Sequence, residues 1–82
     1  MRGRMPVLRS ERTQVDIEAT IWLSTRRLPV RVVETSQGGC TIQCLQTLPV
    51  GEIVQLEISA CQPSAVSVRW SMGGKSGLRF VY

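Results

Sequence analysis

Val66-Ser67-Val68-Arg69-Trp70-Ser71 and Ser76-Gly77-Leu78-Arg79-Phe80-Val81-Tyr82, joined by Met72-Gly73-Gly74-Lys75, decide the fold. Apolar residues recur at every second position: Val66, Val68 and Trp70 in the first run, Leu78, Phe80 and Tyr82 in the second. A period of two sets one series on the buried face of a strand and leaves the other to solvent. The two glycines at the joint supply the left-handed backbone that a tight hairpin turn requires. The segment therefore reads as a β-hairpin, with Trp70 on its inward side.

The same period extends toward the N-terminus. Val54, Leu56 and Ile58 alternate with Gln55, Glu57 and Ser59, and Leu48-Pro49-Val50-Gly51 ahead of them fits a type I turn leading into a hairpin, with proline second and glycine fourth. Gly39 to Leu45 forms another strand, with Cys40, Ile42 and Cys44 on one face. Pro29 opens a strand carrying Val30, Val32 and Val33 that ends near Glu34, and the longest strand alternates Val15, Ile17, Ala19, Ile21 and Leu23 with polar neighbours. Trp22 falls on the polar side of that strand and is expected at the surface. No helical period of any length occurs. Six short strands without a helix predict an all-β fold, a small six-stranded antiparallel barrel, because closure removes the exposed edges that so short a sheet would otherwise present.

Composition agrees with one folded unit. The chain has 82 residues, 43% hydrophobic and 20% charged, which is ordinary for a single globular domain. The division expected is a basic arm over residues 1–12 and one barrel over 13–82. Most of the net charge of +4 lies in the arm, where Arg2, Arg4, Arg9 and Arg12 face Glu11 alone. Such an arm attracts phosphates or other acidic partners. Cys40 and Cys44, four residues apart in one strand, are separated by roughly 13 Å, too far for a disulfide. With Cys61 they make an odd number of thiols, which suits a reducing compartment. No apolar run reaches the roughly 18 residues of a membrane span or the core of a signal peptide, so a cytoplasmic location is expected.

Chemistry has few places to reside. The chain has no histidine, which removes the commonest general base and the Ser-His and Cys-His nucleophile pairs. Without histidine or a CxxC pair, no metal site is expected. Asp16 and Glu18 share a strand face, the ordinary position of solvated charges. The expectation is a binding module and not an enzyme. Four aromatic residues, mostly on inward positions, make a poor platform for stacked bases, so nucleic acid is not an expected partner. Glu34-Thr35-Ser36-Gln37-Gly38-Gly39 stands out among the connections, since it combines a carboxylate, a hydroxyl and two glycines. Those groups can read the donor edge of a base and let backbone approach a ligand. The same residues also serve as a plain strand connection in which Ser36 bonds backbone and the glycines take positive φ.

Taken together these motifs resemble the PilZ domains, many of which bind the bacterial second messenger cyclic di-GMP. The resemblance spans nearly the whole chain: Glu34-x-Ser36-x-x-Gly39 occupies the place of the family's [DN]xSxxG stretch, Leu48-Pro49-Val50-Gly51 that of its turn, Val68-Arg69-Trp70 that of its tryptophan strand and Gly77-Leu78-Arg79-Phe80 that of its last strand. Arg9 and Arg12 stand for the family's RxxxR pair, spaced here as RxxR, and Glu34 replaces Asp or Asn. The resemblance implies that the arm orders over the barrel when cyclic di-GMP binds. Arg9 and Arg12 would contact phosphates and stack on guanine, Glu34 and Ser36 would bond guanine edges, and Gly38 and Gly39 would keep backbone clear of the ligand. It implies no further cofactor, a downstream protein partner and room for self-association. The alternative it leaves open is a PilZ-type domain that no longer binds the nucleotide and acts through protein contacts.

Overall fold

In the computed structural model residues 12–59 and 61–81 are described. Thr13–Trp22 forms β1, Arg27–Thr35 β2, Gly39–Gln43 β3, Ile53–Ile58 β4, Ser64–Met72 β5 and Lys75–Phe80 β6. They close in the order β1-β2-β3-β6-β5-β4, every neighbouring pair antiparallel. The architecture is the small six-stranded antiparallel barrel that the alternating pattern predicts. The arm up to residue 11, including Arg9, and the inward position expected for Tyr82 lie outside the described residues.

The core follows the inward series. Ile21, Val32, Ile42, Leu56, Val66 and Val68 are fully buried and come from five different strands, so each strand contributes apolar area that no other element could cover. Cys40 and Cys44 fill the same core as free thiols, while Cys61 is exposed. Burial pushes the Cys40 thiol up to about 11, as expected when desolvation opposes the thiolate. The buried hydroxyl of Ser76 shares a 2.8 Å hydrogen bond with Ser71 Oγ, which also accepts the Leu48 N–H at 2.9 Å. Those two bonds satisfy polar groups that the interior would otherwise penalise.

The β5–β6 turn is as read: Gly73 and Gly74 both have positive φ, 63° and 77°, the primed geometry that matches strand twist. The turn before β4 differs from expectation. Its hydrogen bond runs from Glu52 N to Pro49 O, 3.3 Å, and Gly51 at φ 91° is its third residue. With Val50 at negative φ this is a type II turn one residue downstream. Nor does it close a hairpin, because β3 pairs with β2 and β6 whereas β4 pairs with β1 and β5. The link is held by the fully buried Leu48 and by backbone bonds of Gly51 and Glu52 to Val68, 2.7 and 2.9 Å.

Three register shifts break the alternation, between Gln14 and Ile17, Val32 and Glu34, and Val68 and Trp70. A bulge inserts one residue and turns the following side chain to the other face. Ile17, the first residue after the β1 bulge, keeps the inward register opposite the fully buried Val32 and is 36% exposed. Trp70, expected in the core, is also at the surface, 40% exposed and paired with the outward Gly77. Trp22 is exposed as its position predicts.

Candidate functional site

Strand register assembles the site as one row across five strands. Gln14 in β1 opposes Glu34 in β2, Glu34 opposes Thr41 in β3, Thr41 opposes Gly77 in β6, and Gly77 opposes Trp70 in β5. Glu34 and Trp70 stand about 14 Å apart along that row, three strand spacings. Both follow inward-facing residues at even positions, Val32 and Val68, and both would point inward without their bulges. The outer face of the barrel thus owes its carboxylate and its indole to two local irregularities, a placement that bulges often provide beside functional sites.

Around this row lies a cleft of about 310 Å³ lined by Arg12, Glu34, Ser36, Gly38, Gly39, Arg69, Trp70 and Arg79, with β3 and β6 forming its floor. Of the residues singled out from sequence it brings together Arg12, Glu34, Ser36, Gly38 and Gly39. Arg9 lies outside the described residues. Arg69, Trp70 and Arg79 were not expected here. Parity places Trp70 in the core, and the two arginines carry no signal beyond outward positions beside the Trp70 and Phe80 motifs.

Arg12 donates from Nη1 to Glu34 Oε1 at 3.3 Å, and Gln14 donates from Nε2 to Glu34 Oε2 at 3.2 Å. Arg12 is mostly exposed and Glu34 largely covered, at 72% and 23% of their side-chain areas. Ser36 closes its own loop: its N–H donates to the Gly39 carbonyl at 2.9 Å and its hydroxyl to the same oxygen at 3.4 Å. The Ser36 oxygen remains available as an acceptor. Gly38 and Gly39 do not take the positive φ of a plain turn. Gly39 is needed instead for close approach, since a Cβ there would collide with the Leu78 carbonyl oxygen; at Gly77 it would run into the Trp70 indole.

Three arginines and one glutamate line the cleft, giving it two net positive charges beside an exposed indole. Such a surface takes flat anions, the charge held by guanidinium groups and the ring by the aromatic face.

A larger groove of about 930 Å³ crosses the outer surface of β1, β2 and the β5–β6 turn. Its charges are largely satisfied by one another or by neighbours: Arg31 bonds Asp16 at 2.8 Å and Glu18 at 3.4 Å, Glu57 accepts the Trp22 indole N–H at 2.7 Å, and Arg27 lies 5.4 Å from the Trp22 ring centre. The smaller cleft is therefore the better ligand site. Among the described residues no group of three His, Cys, Asp or Glu is placed to hold a metal, and no helix is long and apolar enough to cross a membrane. No protein-family model matches the chain, and no curated protein is found to match it.

Proposed function

We propose that this barrel is a non-catalytic receptor module for cyclic di-GMP, as its resemblance to the PilZ domains implies, and that the dinucleotide seats in the cleft between Glu34 and Trp70. The observation that carries the reading is convergence. Arg12 and the Glu34–Gly39 segment, read from separate stretches of sequence, line one cationic cleft. In this reading Arg12 leaves Glu34 for a phosphate, Glu34 turns to the N–H groups of a guanine edge, and Ser36 accepts a further hydrogen bond. The residues before Arg12, which lie outside the described residues, then pack across the ligand and present a surface to a partner protein. Calorimetry tests it: cyclic di-GMP should bind with a Kd in the micromolar range or tighter, about −8 kcal/mol, and Arg12→Ala should abolish the heat.

A second reading has one observation in its favour. Both carboxylate oxygens of Glu34 are already bonded by Arg12 and Gln14, so the barrel's own side chains occupy the polar group that a guanine needs. On that reading the domain works through protein contacts, and calorimetry of the parent protein with the dinucleotide gives no heat while the fold remains intact.

A further inference from the structure

We propose that Arg69 and Arg79 form a second phosphate clamp, on the side of the cleft opposite Arg12, and that this pair selects a ligand with two phosphates over one with a single phosphate. The inference rests on the cyclic di-GMP reading and extends it to residues that the motif resemblance does not assign.

Register places the pair. Arg79 in β6 lies between Gly39 of β3 and Ser67 of β5, all on the outer face. Arg69 is the extra residue of the β5 bulge: Val68 opposes Leu78 and Trp70 opposes Gly77, which leaves Arg69 without a partner in the ladder. Because of that insertion Arg69 and Trp70 are both exposed although they are adjacent in sequence. In a regular strand one of them would point into the core. The bulge thus sets Arg69 beside Trp70 in β5, and Arg79 stands in β6 two residues beyond Gly77, the partner of Trp70; all three line the cleft.

Pairing separates these arginines from the one read at sequence level. Arg12 is bound to Glu34, whereas among the described residues neither Arg69 nor Arg79 has a carboxylate within ion-pair distance. An arriving phosphate need displace no carboxylate of the described residues from them. It must displace Glu34 from Arg12. Arg69 and Arg79 hold one phosphate, and Arg12, released from Glu34, holds the second. A cyclic dinucleotide carries two phosphodiester charges, matching the two net positive charges of the cleft.

The test titrates cyclic di-GMP and 3′,5′-cyclic GMP, which has one phosphate, into the parent protein and into Arg69→Ala, Arg79→Ala and Arg69→Lys, with thermal melts to verify folding. The parent should prefer the dinucleotide by at least about tenfold. Each alanine variant should lose about tenfold or more for the dinucleotide and reduce that preference, and lysine should recover part of the loss, since it keeps the charge but not the bidentate fork. If both alanine variants bind the dinucleotide within about twofold of the parent while Arg12→Ala does not bind, the clamp is wrong and the receptor reading stands. If the folded parent binds neither nucleotide, the receptor reading falls and takes the clamp with it.

Discussion

Arg12 and Glu34, 22 positions apart in the chain, meet where Arg12 Nη1 donates to Glu34 Oε1 at 3.3 Å, tying the approach to β1 to the outer edge of β2. An ion pair this exposed contributes at most about 1 kcal/mol to stability. Its larger consequence is for binding, because a ligand that needs both groups must part them.

Shortening Glu34 weakens that hold. Glu34→Asp draws the carboxylate back by about 1.5 Å, beyond comfortable hydrogen-bond range of both Arg12 and Gln14. The variant should bind cyclic di-GMP at least as tightly as the parent in calorimetry. A tenfold loss would mean that the site is built around the longer side chain.

Gly39 is fixed by packing. A Cβ there meets the Leu78 carbonyl oxygen, a backbone atom that can move only with β6. Gly39→Ala should cost on the order of 2 kcal/mol or more in urea unfolding, whereas Gly38→Ala, with open space around it, should change stability by less than about 0.5 kcal/mol. Equal effects would contradict the close β3–β6 approach.

Ser71 holds two buried partners. Ser71→Ala leaves the Leu48 N–H and the Ser76 hydroxyl without their 2.9 and 2.8 Å bonds, and unsatisfied buried groups cost about 1–3 kcal/mol. The expected fall in Tm is on the order of 10 °C for a chain of this size. A melt unchanged from the parent would show that water replaces the hydroxyl.

The thiols differ in reach and in proton affinity. Cys61 should react with a thiol reagent in the native protein, while Cys40 and Cys44 react only on unfolding. Burial raises the Cys40 thiol from 9.0 to about 11, so between those values the unfolded chain has lost a proton that the native chain keeps. Stability due to this group is complete below pH 9 and is lost as pH rises toward 11. Urea midpoints at pH 8 and pH 10.5 should diverge more for the parent than for Cys40→Ala; equal divergence would remove Cys40 from the account.

Much of this was legible in the chain. Val66 and Val68, or Cys40 and Ile42, follow the period of two into the core without exception, and Gly73-Gly74 makes the turn that two glycines should. What could not be read was where the period slips. Nothing in Val32-Val33-Glu34 or Val68-Arg69-Trp70 announces an extra residue, because a bulge depends on which strand lies opposite, and β5 is aligned by β6 through long-range pairing. Trp70 was therefore placed in the core, and the cleft beside it lost its indole and both strand arginines. The Pro49–Glu52 turn was misjudged for a similar reason: adjacency in sequence suggested a hairpin, whereas barrel closure assigns β3 and β4 to different neighbours.

Amide resonances of a ¹⁵N-labelled sample titrated with cyclic di-GMP test the central claim most directly, since they report binding and its location together. The account predicts shifts concentrated at Glu34 to Gly39, Arg69, Trp70 and Arg79, with the Trp70 indole N–H moving and that of Trp22, bonded to Glu57 on another part of the surface, staying in place. Shifts confined to the groove lined by Arg27, Arg31 and Lys75, or no shifts at all from a folded protein, would contradict it.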